Sequence, residues 1–278
     1  TLREHVLGRG RGNHRMSRRV IAFACEGAEL LGTLDAASGG TGLLIVSGGN
    51  EVRSGPWGSQ AQLAAQVAAE GFPVFRFDRR GVGDSAGANG GFRSSAPDIA
   101  AALTAFRTAA PQLTRIIAWG NCDAASALML ARGGGCDGLV LSNPWTIEGD
   151  EAAAPPQALR AHYAQRLRNP AALLRLVTGK VAPRQLLGSL RAALRPAPPP
   201  SSLAQDIAQG LGEFDGPVSI LLAERDRTAQ AFEAAWPRRD SRIVRCEGAS
   251  HSFVEPHARP WLLGHILAAL RGNASPAD

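Results

Sequence analysis

Ile116-Ile117-Ala118-Trp119-Gly120-Asn121-Cys122-Asp123-Ala124-Ala125 is the stretch whose reading decides the fold. An apolar run of strand length enters Gly-x-Cys-x-Ala, and a helix-forming run, Asp123–Arg132, follows at once. A strand, a sharp bend and a helix in immediate succession present one side chain at an exposed and strained point. The bend brings neighbouring backbone close, so the positions two before and two after that side chain must be small. Gly120 and Ala124 meet that demand. The presented residue is Cys122. A helix N-terminus behind it favours the thiolate and supplies unpaired amides. A small buried core residue is the bland alternative for a free cysteine.

Outward from this point, strand-length apolar runs alternate with helix-length amphipathic runs. Val20–Cys25 and Glu29–Leu34 read as a hairpin around Gly27. Gly42–Ser47, Val74–Phe77, Arg115–Trp119, Gly138–Ser142, Val218–Ala223 and Arg242–Cys246 read as strands. Trp57–Glu70, Pro97–Ala110, Asp123–Arg132, Thr228–Ala235 and Trp261–Arg271 read as helices. Continuous apolar strands such as Leu43–Val46 are those of a sheet buried on both faces. The alternation therefore predicts an α/β fold, a mostly parallel central sheet with helices on both faces. It breaks between Thr146 and Gly212, which is Ala-, Leu-, Arg- and Pro-rich without a strand signal. The expected organisation is a core of residues 18–145 and 213–278 with a helical lid insertion over 146–212. Residues 1–17 are expected to be a disordered extension ahead of a natural start at Met16.

The chain has 278 residues, 45% hydrophobic, with a formal charge of +6. This much apolar content excludes a disordered chain. Four cysteines, widely spaced, exclude a disulfide scaffold and show no metal-ligand spacing. Lys180 is the only lysine, so the positive charge is arginine. The arginines are scattered rather than striped, and no aromatic-rich basic segment accompanies them, so no nucleic-acid partner is expected. No run reaches the roughly 18–20 apolar residues of a membrane span, and residues 1–15 lack the apolar centre of a signal peptide. The expected location is the cytoplasm. The sequence does not indicate an oligomeric state.

In a parallel sheet, chemistry gathers at the carboxyl ends of the strands. Val218–Ala223 is followed by Asp226, and Arg242–Cys246 by Gly248-Ala249-Ser250-His251-Ser252-Phe253. Nucleophile, acid and histidine in that chain order make a Cys122–His251–Asp226 triad. Glu224 and Asp215 are rivals for the acid. His251 is preferred to His5, His14, His162, His257 and His265 as the base. Upstream, Ser47-Gly48-Gly49-Asn50 ends a buried strand in a Gly-rich turn. There the backbone amide of Asn50, or failing that of Gly49, joins that of Asp123 as an oxyanion hole. Gly81-Val82-Gly83 also follows a strand, but the Gly-rich Ala86–Gly91 cannot be the helix that a dinucleotide loop requires. No cofactor and no metal are expected, and Arg79 and Arg80 are read as braces of the site loops.

Asp-Arg-Arg-Gly-x-Gly-Asp-Ser (Asp78–Ser85), Gly-Asn-Cys-Asp-Ala (Gly120–Ala124), Asp226 and Gly-Ala-Ser-His-Ser-Phe (Gly248–Phe253) together resemble the α/β-hydrolase superfamily. More narrowly, Ala22–Gly27, Gly48–Gly55 and Ser-Asn-Pro-Trp (Ser142–Trp145) resemble the type 1 hydrolase associated with bacterial exosortase A systems. The resemblance implies hydrolysis of a small acyl ester or thioester, and a role near exopolysaccharide gene clusters. Cysteine in place of the usual serine implies a covalent acyl-thioester. It also keeps open acyl transfer, or a catalytically weak scaffold.

Overall fold

The computed structural model describes residues 3–6, 17–148, 201–237 and 239–273. Nine strands form one sheet among these residues, in the order β1-β2-β3-β5-β4-β6-β7-β8-β9. They are β1 (Arg3–Val6), β2 (Arg18–Cys25), β3 (Ala28–Asp35), β4 (Thr41–Val46), β5 (Val74–Phe77), β6 (Arg115–Asn121), β7 (Gly138–Ser142), β8 (Val218–Ala223) and β9 (Ile243–Cys246). The pairs from β5 through β4 to β9 are all parallel, and β1, β2 and β3 add antiparallel to the β5 edge. The expected hairpin is β2–β3, turned by Glu26 (φ 46°) and Gly27 (φ 81°). Two successive positive φ values match the strand twist.

Alternation along each strand divides the core into two layers. Leu44, Val46, Ala118, Leu141 and Leu222 face α2 (Ala96–Ala109), α3 (Asp123–Leu130), α4 (Ser202–Gly212) and α5 (Arg227–Ala235). Leu43, Ile45, Ile117, Val140 and Leu221 face α1 (Ser59–Ala69) and α6 (Ala258–Arg271). Parallel strands need a crossover between them, and helices covering both faces follow from that.

Two expectations change. Arg3–Val6, placed in a disordered extension, pairs with β2, Arg3 opposite Ala22. Without it β2 would be a sheet edge with a row of open backbone groups, which any extended segment can join. Ser202–Gly212, placed in the lid, is a core helix. Leu203, Ile207 and Leu211 repeat at i, i+4 and i+8 and are buried against the sheet layer that holds α3. Residues 149–200 of the expected lid lie outside the described residues.

Candidate active site

The site is built at the carboxyl ends of β4, β6, β8 and β9. Cys122 sits between β6 and α3 with φ 63° and ψ −128°. A non-glycine residue held there costs on the order of 1–3 kcal/mol, so its surroundings must fix it. Three segments do so. Cys122 N–H donates to Ser142 O at 2.9 Å, Ala125 N–H donates to Cys122 O at 3.1 Å, and Trp145 N–H donates to the same carbonyl at 3.3 Å. Gly120 is required by contact, because a Cβ there would stand 2.8 Å from Ala124 C and 2.9 Å from Ala125 N.

His251 lies in the loop between β9 and α6. Its Nδ1 is 3.0 Å from Asp226 Oδ2, and the ring hydrogen-bonds the Cys122 thiol. With Nδ1 engaged by Asp226, Nε2 is the nitrogen left to face sulfur. Asp226 is buried, its side chain 7% exposed, while the His251 side chain is 39% exposed. The same Asp226 oxygen accepts from Ala229 N–H at 3.0 Å and so caps α5. One carboxylate thus fixes both the helix and the imidazole. The hydrogen bond to Asp226, then that to Cys122, push the His251 pKa up to about 10.

The rivals for the acid are placed elsewhere. Asp215 precedes β8, at its amino end. Glu224 accepts from Gly248 N–H at 2.8 Å and holds the beginning of the histidine loop.

The two oxyanion choices at the end of β4 separate as well. Gly49 N–H donates to Asp123 Oδ1 at 2.6 Å, and Gly49 O accepts from the buried Arg79 guanidinium. The Gly49 amide is thereby spent on the protein. Asn50 N–H makes no hydrogen bond among the described residues. Asp123 N–H opens α3 and has no intrahelical acceptor. Arg79 also reaches Ser95 Oγ at 3.0 Å and lies 3.8 Å from Asp123 Oδ2, so it ties the β4 turn to the elbow. Arg80 pairs with Asp98 at 2.5 Å and with Glu26, further from the chemistry.

One polar residue of the site entered the sequence reading only within the Ser142–Trp145 resemblance, with no role given to it. Asn143, fully buried with φ 45°, donates through Nδ2 to His251 O at 3.0 Å and to Asn121 Oδ1 at 3.0 Å. Its Oδ1 accepts from Ala223 N–H at 2.8 Å, and its own N–H donates to Leu221 O at 3.0 Å. Asn121 Nδ2 adds a second donor to His251 O, at 3.2 Å. Asn143 therefore ties the elbow, the strand that carries the acid and the histidine loop to one another.

Comparison with known proteins agrees with this architecture. Residues 43–262, well over half the chain, match the alpha/beta hydrolase family. The chain belongs to that family. Among solved structures it is similar to DcsB in complex with a substrate analogue, at 18% identity and TM-score 0.59, covering 93% of this chain and all of that one. It is similar to the esterase Pf2001 of Pyrococcus furiosus, at 13% identity and TM-score 0.60, covering 95% and 96%. It is also similar to the esterase RhEst1 of a Rhodococcus species, at 21% identity and TM-score 0.53, covering 93% and 100%. No curated protein matches the chain. No helix among the described residues is long and apolar enough to cross a membrane.

Proposed function

We propose that the protein is an acyl hydrolase that cleaves small ester or thioester substrates through a covalent acyl-thioester on Cys122. The observation that carries this reading is the continuous line from the strained Cys122 to His251 and on to the buried Asp226 at 3.0 Å. The Cys122 thiolate attacks the carbonyl carbon, and the carbonyl electron pair moves onto oxygen. The amides of Asn50 and Asp123 receive that charge. When the tetrahedral adduct collapses, the carbon–oxygen or carbon–sulfur bond to the leaving group breaks. The His251 imidazolium gives its proton to the departing atom. The acyl group is now on sulfur, and His251 is neutral.

Acylation itself prepares the second half. The thiol that helped raise the His251 pKa has become a thioester, so the histidine pKa falls while Asp226 still holds Nδ1. The ring then takes a proton from water as the water attacks the thioester. Collapse expels the Cys122 thiolate, and His251 carries a proton again. Ester and water have become acid and alcohol.

The test is p-nitrophenyl ester turnover and iodoacetamide labelling in the unaltered protein, Cys122→Ala and His251→Ala. Turnover should fall about 10³-fold or more in each variant. Labelling should fall on Cys122 ahead of the buried Cys25, Cys136 and Cys246. Burial pushes the Cys25 thiol up to about 11 and that of Cys136 to about 12, which makes both poor nucleophiles. Unchanged turnover in both variants would sink the triad.

A further inference from the structure

A cleft of about 200 Å³ opens between α1 and α6, lined in part by chain neighbours of the triad. Its floor is apolar, with Leu63, Trp119 and Leu262 among its walls. Its lining includes immediate chain neighbours of the site: Glu51 after Asn50, Asn121 before Cys122, and Ser252 after His251. The Glu51 carboxyl lies within electrostatic reach of both His251 and Asp123. Phe253 and Val254 continue the wall from the histidine loop. Trp57 follows Pro56 of the cleft wall in the chain, is 81% exposed, and has φ 51° between Gly55 and Gly58, both at φ 71°. Val52 and Val254 are the other large apolar side chains that are exposed among the described residues. A tryptophan in solvent on a strained backbone costs stability without serving the core.

We propose that this cleft is the leaving-group subsite, and that it takes the apolar body of an uncharged alcohol or thiol. The assignment rests on the acyl-enzyme reading above. A general acid must face the atom it protonates. The wall formed by the three residues after His251 therefore lies on the side where the leaving group departs, whereas the oxyanion amides come from Asn50 and Asp123. The apolar floor suits an aryl or branched alkyl body. Glu51 and Arg259 put one charge of each sign on the lining, so the cleft has no net charge to draw a charged body.

Leaving-group and acyl subsites differ in what they can affect. Esters of one acid pass through the same acyl-enzyme, so a leaving-group subsite governs acylation and is silent in deacylation. Gln62 and Gln66 line the cleft from the exposed face of α1, so Gln62→Trp and Gln66→Trp narrow it without disturbing the core. The experiment compares ethyl and 1-naphthyl esters of the same acid in the unaltered protein and both variants, with the acyl-enzyme hydrolysis rate measured by single turnover. The expected result is a loss in kcat/KM of about 10-fold or more for the naphthyl ester relative to the ethyl ester. The deacylation rate should not change. In parallel, 1-naphthol is titrated by calorimetry into Cys122→Ala, alone and with Gln66→Trp. Binding should be seen in the first and weakened about 10-fold in the second. A loss that is equal across leaving groups, one that follows the acyl chain instead, or no naphthol binding to Cys122→Ala would overturn the subsite. Absence of any acyl-enzyme while naphthol still binds would overturn the proposed function, and the leaving-group role with it.

Discussion

Two clusters of charge lie along the carboxyl edge of the sheet, and they are organised in opposite ways. In the Asp78–Ser85 loop the charges close on protein partners. Asp78, fully buried, accepts from Arg53 N–H at 2.5 Å, from Asp84 N–H at 3.2 Å and from the Arg53 guanidinium. Next to it the buried Arg76 donates to Arg53 O at 2.6 Å and pairs with Asp35 at 3.1 Å. Gly83 is held to glycine because a Cβ would stand 2.5 Å from Asp78 Oδ2. In the Cys122–His251–Asp226 cluster the sequence of partners ends at the thiol, with the histidine 39% exposed and the Asn50 amide unengaged. A saturated cluster holds loops in place, and an open one has bonds left for a substrate. Arg79 joins the two, reaching from the first to the turn and the elbow of the second.

The comparison breaks most visibly at Asp226. Asp226→Asn keeps the shape but replaces the carboxylate whose hydrogen bond contributes most to the raised His251 pKa. That pKa should drop from about 10 toward its ordinary 6.5, which NMR titration of the ring reads directly. Activity should fall by roughly 10²- to 10⁴-fold as the imidazole loses its orientation. Stability follows in a defined window. The folded protein binds the His251 proton more tightly than the unfolded chain does, so the gain is fully present below about pH 6.5. It is lost as pH rises through the folded value near 10. The stability gap between the unaltered protein and Asp226→Asn in urea should therefore narrow as pH rises from 6.5 to 10.

In the saturated cluster the effect should appear as stability instead. Asp78→Ala leaves the Arg53 guanidinium with Thr33 Oγ1 and the exposed Asp84, and leaves two backbone donors open. Breaking a buried pair from one side costs about 3–5 kcal/mol. Urea unfolding should show a loss of that order. Turnover per folded molecule should stay within a few-fold, because no group of the triad touches Asp78. A collapse of activity in a folded Asp78→Ala protein would erase the distinction between the two clusters.

Much of this was legible in the sequence because it depends on local pattern. Parallel strands buried on both faces appear as unbroken apolar runs. Gly120 and Ala124 mark the elbow because the bend crowds its own chain neighbours. Asp226 and His251 follow strands, so their order along the chain places them at one edge. What could not be read depends on contacts between distant segments. The Gly49 amide is taken up by the Asp123 side chain, 74 residues away, although Asn50 was already preferred on local grounds. β1 is decided by an open edge of β2 and not by its own residues. The burial of α4 was written in Leu203, Ile207 and Leu211, but the Ala- and Pro-rich run before it hid the boundary. Asn143 is the furthest case, since its partners come from β6, β8 and the histidine loop.

Asn143 also sharpens the comparison, because it is saturated like the brace yet serves the open site. Its side chain holds the His251 carbonyl on one side and the β8 end, three residues before Asp226, on the other. If that bridging sets the imidazole against the thiol, its removal should slow the chemistry more than it weakens binding. Two variants separate the bridge from backbone strain. Asn143→Gly accepts φ 45° at no steric cost but makes none of the side-chain bonds, whereas Asn143→Ala loses the bonds and keeps the strain. Both should lower kcat by about 10-fold with little change in KM, since a small displacement of a reacting group has effects of that size. Both should also shift the alkaline limb of the pH–rate profile, because the His251 hydrogen bonds to Asp226 and Cys122 loosen. Asn143→Ala alone should carry the added stability cost of the positive φ. An Asn143→Gly protein with unaltered kcat and pH profile would show that the His251–Asp226–Cys122 geometry is set without this bridge, and the residue would then belong with the braces.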